Sequence, residues 1–350
     1  MKRSLLKSAV LLSVLVFLAV FTAGAGYSKT IVKVAHIDPA DPFQSADHAA
    51  AVVFKTMVEA GTNGEIEVRI YPASQLGNAK ESMAMLKKGT LQLFISSAGG
   101  LATVYPLLGV LDTPFAIPNM SVAWDVFDGP FGDELKQSIL DKTGLRLIEI
   151  LDQGGFFHFT NNKRPITSLD DMKGIKYRTM TLPSHIAFFR SMGASAIPIA
   201  WAELYTSLQT GVVDGQHNPF APILGSKLYE VQKYLTLSGH MWSTHWFLAN
   251  NDWYTSLTPE QLQIVRDAAN VAKTAGRAIT KIYESSDNGF PAIQKAMKVN
   301  SLSTAQKDEF AKVTIPAMTA FIKEDLGEEG VALQKDFLDA IQESRKKLNY

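Results

Sequence analysis

The 350-residue chain contains no cysteine. That excludes a disulfide framework, a thiol nucleophile and a cysteine-linked lipid anchor. An excess of either charge is missing too: Lys plus Arg and Asp plus Glu each number 34. Without a net field, neither nucleic acid nor an anionic membrane surface is expected as a partner. The common catalytic signatures are also absent. There is no G-x-S-x-G nucleophile elbow, no G-x-x-x-x-G-K-[ST] phosphate loop, no G-x-G-x-x-G after a strand and no H-E-x-x-H. The seven histidines are scattered along the chain. His240 and His245 are nearest in sequence, at a spacing that one helix face does not align. No metal, no cofactor and no enzyme activity are expected from this pattern, although paired acids can catalyse without leaving a short motif.

Long apolar runs are confined to the N-terminus. Lys2, Arg3 and Lys7 precede the apolar Ser8–Phe21, and Ala23-Gly24-Ala25 fits an A-x-A cleavage site. The run falls short of the ~20 residues a membrane-spanning helix needs. Residues 1–25 are therefore expected to be a cleaved signal peptide, delivering a soluble product to the periplasm. Its removal takes away three cations and no acids, leaving a slight acidic excess.

What the chain does have is a core and a rhythm. Apolar residues make up 46% and charged residues 19%, over a length suited to two domains. Strand candidates alternate with helix candidates from Ile31 onward, the pattern of α/β sheets. Asp41-Pro42-x-Gln44 reads as a helix start, with a helix running to Ala60. Ile66, Val68 and Ile70 alternate with polar residues as a half-exposed strand does. The small residues Ser96-Ser97-Ala98-Gly99-Gly100 would let backbone approach a ligand closely. Gly154-Gly155 breaks the chain between two strand candidates and is a natural crossing between domains. Thr258-Pro259-Glu260-Gln261 is a capping box with proline at N1, opening a helical pattern to about Ser286. From Thr304 the chain reads as helix, broken near Pro316 and Gly327–Gly330.

The most informative stretch is Gly174 to Pro219. Ile175, Tyr177 and Thr179 alternate with Lys176 and Arg178, which marks a strand with both cations on one face. A short helix follows to Met192, then a buried strand at Ala194–Ile199, then a helix from Trp201 that stops at Gly211. Three pieces within it resemble the signature region of the solute-binding proteins of TRAP transporters, the DctP-type family. They are G-I-K-Y-R at Gly174–Arg178, M-G-A-S-A-I-P-I at Met192–Ile199, and E-L-Y-T-S-L-Q-T-G-V-V-D-G-Q-x-N-P at Glu203–Pro219. Y-P-A-S-Q-L-G at Tyr71–Gly77 belongs to a weaker similarity running to the C-terminus.

The resemblance implies a two-lobed α/β fold of the periplasmic-binding-protein type, class II, with a long helix spanning both lobes. Lobe I is expected at 26–155 plus 244–283 and lobe II at 156–243 plus 284–350. It implies a monomeric protein that closes around a small organic acid and delivers it to TRAP membrane subunits. Rival readings are a periplasmic ligand sensor and an enzyme acting on organic acids.

For the site, the resemblance gives Arg178 the ligand carboxylate, which its planar fork of donors suits. It gives Asn218 a hydrogen bond to the ligand and Trp201 an aromatic wall. Sialic-acid binders carry a second arginine upstream. Ungapped counting puts His158 there, and a histidine cannot form that fork. Ser97 falls where those binders have an acid. With Phe156 and Trp242 close by in the reading, an aromatic or apolar monocarboxylate is slightly favoured.

Overall fold

A computed structural model gives the structure, and it describes residues 29–350. The expected signal segment lies outside the described residues. The chain opens with β1 (Thr30–His36), α1 (Ala46–Gly61), β2 (Ile66–Tyr71), α2 (Ala79–Lys87), β3 (Leu93–Ser97) and α3 (Ala98–Leu101). A 3-10 turn at Pro106–Asp112 leads to α4 (Met120–Asp128), α5 (Pro130–Thr143) and the long strand β4 (Leu145–Phe156). Next come β5 (His158–Asn161), β6 (Lys176–Thr179), α6 (Pro183–Ser191), β7 (Ser195–Pro198) and α7 (Leu204–Gln209). β8 (Gly215–Asn218), α8 (Phe220–Gly225) and β9 (Tyr234–Leu237) follow. The chain returns through β10 (Trp242–Asn250), α9 (Asn251–Ser256) and α10 (Pro259–Ser285). It ends with α11 (Phe290–Ala296), β11 (Lys298–Ser301), α12 (Thr304–Asp325) and α13 (Gly327–Lys347).

These elements build two lobes, each around one sheet. The first sheet has the order β2-β1-β3-β10-β4 and the second β11-β9-β5-β8-β6-β7. Both are mostly parallel with one reversed insertion: β10 runs antiparallel to β3 and β4, and β5 antiparallel to β8 and β9. The reversal has a simple cause. β5 and β10 are the first strands after the chain crosses from one lobe to the other, so each enters its sheet from the cleft side. Apolar clusters cover both faces of each sheet, giving two three-layered units.

The capping box at Thr258 is present, with Gln261 N donating to its Oγ1 at 3.2 Å. α10 then runs 27 residues. Val265, Ala268, Ala269 and Ala272 pack into the first lobe, while Tyr283 packs into the second. Small residues let α10 lie close to α1: a Cβ on Gly276 would sit 3.0 Å from the Ala46 carbonyl oxygen. One helix therefore spans both lobes. Among the described residues, no helix is long and apolar enough to cross a membrane.

Several local expectations are corrected. α1 starts at Ala46 behind the N-cap Ser45, because Asp41 caps a separate turn, its Oδ1 accepting from Phe43 N at 2.8 Å. The glycine pair does not end a strand. β4 continues to Phe156, with Gly154 and Gly155 at φ +102° and +109°. Its register against β10 slips there, between Thr244↔Asp152 and Trp242↔Phe156, so the glycines form a bulge. β7 is not buried: it is an edge strand with Ser195 and Pro198 exposed. α12 runs through Pro316 without breaking.

The C-terminal assignment also changes. Residues 284–350 do not all belong with the second lobe. α13 returns to the first, where Phe337 packs 5.3 Å from Phe131 and 6.1 Å from Phe127 between ring centroids. Phe337 is fully buried, whereas Val331 on the same helix is 37% exposed. Phe337→Ala should therefore cost about 3–5 kcal/mol, and Val331→Ala no more than ~0.5 kcal/mol. Urea unfolding of the two variants checks this. Equal effects would mean that α13 does not anchor the first lobe.

Candidate functional site

A cavity of about 520 Å³ lies between the lobes. That is within the range of small-molecule pockets. Its walls are built from the carboxyl ends of parallel strands, where α/β sheets place their ligands. Ile37 and Asp38 follow β1, Ser97 ends β3, Arg178 and Met180 lie at the end of β6, and Asn218 ends β8.

Arg178 is 2% exposed. Its Nε donates to the Ile199 carbonyl at 2.9 Å, and its guanidinium sits 5.8 Å from the Trp201 ring centre. Burial lowers its pKa to about 10, so it remains a cation at neutral pH. No charged group contributes to that shift, and among the described residues no acid pairs with it. Backbone and ring thus hold one edge of the fork, and the terminal nitrogens have no hydrogen-bond partner among the described residues. A buried cation in this state is a receptor for an anion.

The other expected residues divide. Asn218, Trp201, Ser97 and Trp242 line the cavity with Arg178. The Asn218 amide donates to Gln216 Oε1 on the same strand, which orients it. Phe156 and His158 do not line it. Phe156 packs edge-on against Trp242 at 5.0 Å, behind the wall. His158 lies against Phe220 at 4.7 Å, and its Nδ1 accepts from Gly239 N at 3.1 Å. It is neutral and structural in position, its pKa driven down to about 3 by burial, with Lys307 and Lys281 adding to the shift. The reason is topological: His158 opens β5, the reversed strand, and its side chain is used up in joining β5 to the β9–β10 connection.

The first lobe supplies a polar wall that sequence reasoning missed. Asp38 is 4% exposed. Its Oδ2 accepts from Gln153 Nε2 at 2.7 Å and from Ser45 Oγ at 3.4 Å, while Oδ1 has no partner among the described residues. Burial and the nearby Asp47 push its pKa up to about 7. His245 sits 2.9 Å from both oxygens of Asp47. Burial pulls His245 down, but Asp47, with Asp38 and Asp152 behind it, raises it overall. Asp38 directly follows an apolar parallel strand, and that position was a legible signal for it. Gln153 and His245 carried none.

The histidines that look scattered in sequence fall into two groups beside the cleft. His36, His48 and His245 lie in the first lobe, with His36 Nε2 2.9 Å from His48 Nδ1. His158, His185, His217 and His240 lie in the second. There Ser238 Oγ, His240 and His217 form a chain, with contacts of 2.7 and 3.0 Å. His185 stands 3.3 Å from Asp112 Oδ1 but is misaligned for a hydrogen bond. Among the described residues neither group has the arrangement of a metal site.

Burial holds His217 and His240 well below 6.5, with neighbouring histidines adding to the effect. These groups bind protons more readily unfolded than folded. Their contribution to stability is complete above ~6.5 and is lost as pH falls below it. Each should steepen the loss by about 1.4 kcal/mol per pH unit within its window. For His158 that window runs from 6.5 down to about 3. Melting temperature should fall from pH 6.5 to 4, and His158→Asn should flatten the fall. A wild-type melting temperature constant over that range would refute the neutral assignment.

The comparisons with known proteins agree with this architecture. The family model described as bacterial extracellular solute-binding protein, family 7 (DctP) matches residues 40–325. The 2,3-diketo-L-gulonate-binding periplasmic protein YiaO of Escherichia coli is 34% identical over 227 residues, covering 65% of this chain and 69% of YiaO. The sugar acid binding protein DctPAm of Advenella mimigardefordensis, solved with galactonate, superposes with a TM-score of 0.83 at 30% identity. That match covers 90% of this chain and 99% of the other. A TRAP periplasmic solute-binding protein of Shewanella oneidensis, solved with succinate, gives a TM-score of 0.81 at 26% identity, covering 91% and 99%. Family match, fold and cleft agree, and the chain belongs to the DctP family of TRAP-type solute-binding proteins, which bind small organic acids.

Proposed function

We propose that this protein is exported to the periplasm, captures a small carboxylate in the cleft and hands it to TRAP membrane subunits. The observation that carries the reading is Arg178, a buried cation with no acid beside it on the wall of the cavity. Its planar fork suits a carboxylate held by two parallel hydrogen bonds. Asn218 adds a second polar contact, and Trp201 closes the face of the guanidinium. No residue in this reading performs a reaction. The lobes close on the ligand about the β4 bulge and the ends of α10.

For the ligand's body, the cavity favours hydroxyl groups over an aromatic ring. Phe156 and His158 stand behind the wall, and Trp242 is already packed edge-on by Phe156. The lining instead carries Asp38, Gln153, Ser97, Ser243, Thr244 and Asn218. Such groups are left unpaired by an apolar body, at about 1–3 kcal/mol each. A hydroxylated monocarboxylate therefore fits better than the aryl acid favoured by sequence alone. The galactonate complex of the Advenella protein is in keeping with this.

Arg178→Ala should weaken carboxylate binding by about 10²-fold or more, the effect of leaving a buried charge unpaired. Arg178→Lys should recover only part of it, since lysine lacks the fork. Calorimetry against a panel of organic acids reads both, with thermal melts to confirm folding. Wild-type affinity in the alanine variant removes the basis for this function. Closure is checked separately by small-angle scattering: saturating ligand should lower the radius of gyration, and an unchanged radius counts against a moving lobe.

A further inference from the structure

Two buried groups of opposite charge face one cavity from different lobes. Arg178 comes from the second lobe and has no acid beside it. Asp38 comes from the first, with Oδ1 unpartnered among the described residues. The cation that acts on Asp38 is His245, and both oxygens of Asp47 already hold it at 2.9 Å. The remaining neighbours of Asp38 do not neutralise it either. Gln153 and Ser45 donate only to Oδ2, Asp47 repels it, and His36 is neutral, lowered to about 4 chiefly by burial.

We propose that Asp38 determines specificity at the ligand end remote from the carboxylate, selecting a hydrogen-bond donor there and rejecting a second carboxylate. This rests on the carboxylate-capture reading, with Arg178 fixing which end faces which lobe. The shared chemistry is an O–H or N–H aimed at Oδ1, from a hydroxyl or an ammonium group. A second carboxylate at that end meets Asp38 with Asp47 behind it, in a site where burial strengthens repulsion. The other charged groups on the cavity wall do not reverse this. Asp112 is also acidic, and accepts from Ser184 Oγ at 2.5 Å. Lys80 lies on the rim, exposed to water that screens it. The Shewanella relative solved with succinate shows that a second carboxylate is within the reach of this fold. Asp38 is the feature of this chain that selects against it.

The test uses three acids of equal length: 4-hydroxybutyrate, 4-aminobutyrate and succinate. Calorimetry is run at pH 6 and pH 8 on the wild-type protein, Asp38→Asn and Arg178→Ala. In the wild type at pH 8, at least one donor-ended acid should bind tenfold or more tighter than succinate. Asp38→Asn should reduce that preference at least tenfold. The wild type alone gives a second reading, should the variant fail to fold. Asp38 ionises near pH 7, so the preference against succinate should widen from pH 6 to pH 8. 4-Aminobutyrate gaining affinity over that interval, with 4-hydroxybutyrate steady, identifies an ammonium as the preferred donor. The reverse ranking identifies a hydroxyl. Succinate equal to or tighter than both others at pH 8 overturns the inference. So does a preference unchanged in Asp38→Asn. Full binding in Arg178→Ala instead overturns the parent reading, whatever Asp38 does, and failure of all three acids overturns both.

Discussion

The structure depends on one uncompensated charge, the Arg178 guanidinium. Taking a cation out of water without a partner costs several kcal/mol. The titratable group that feels it, His217, is held neutral. Arg178 itself keeps one backbone hydrogen bond and one aromatic contact, enough to fix its direction. His217 is held well below its usual pKa first by burial, with His185 and His240 contributing and Arg178 adding to the effect. A second cation beside the guanidinium would raise the cost of burying both, and the neutral histidine chain avoids it. The first lobe shows the opposite bias. Asp38, Asp47 and Asp152 gather there with His245, so the cleft runs from an acidic wall to a basic one.

That polarity follows from the sheets. Parallel strands leave their carboxyl ends at one edge, and both sheets turn this edge to the cleft. Asp38, Ser97, Arg178 and Asn218 are all residues at or just past such an end. The reversed strands β5 and β10 are the exceptions, and their residues behave differently. His158 opens β5 and is spent on packing, while Trp242 opens β10 and reaches the wall with Phe156 behind it.

What the sequence made legible was local. Arg178 and Asn218 sit in one continuous stretch, so the strand that carries Arg178 could be argued from periodicity, and the pairing of the two residues from the resemblance. The capping box at Thr258 was equally local, and α10 followed. What stayed hidden depends on distant pairing. Gln153 reaches Asp38 across 115 residues and His245 reaches Asp47 across 198. No spacing rule connects such positions. The histidines illustrate this best: scattered by number, they assemble only because β5, α6, β8 and the segment before β10 share one packed face. The return of α13 to the first lobe is the same kind of fact, since its apolar residues fit either sheet until Phe127 and Phe131 claim Phe337.

The crossing from β4 into the second lobe joins these features. The bulge in β4 places Gly154 under the end of α10, where Lys281 Nζ donates to the Gly154 carbonyl at 2.5 Å and to Glu284 at 2.8 Å. Glu284 is itself held above the usual carboxylate range, by burial first and with Asp152 adding to it. A Cβ on Gly154 would come 2.5 Å from Glu284 Oε1. Glycine is required there for its positive φ, and any side chain would also displace the Glu284 carboxylate. Gln153, which holds Asp38, is the residue immediately before that bulge. The Gln153–Asp38 contact lies on one side of Gly154 and the Lys281–Glu284 pair on the other. The cavity wall that carries Gln153 is thus built on the same stretch of backbone that crosses to the second lobe. β4 lines the first lobe's side of the cavity through Gln153 and leads directly into the second lobe's β5, while β10 makes the return crossing and lines the same side through Trp242 to His245.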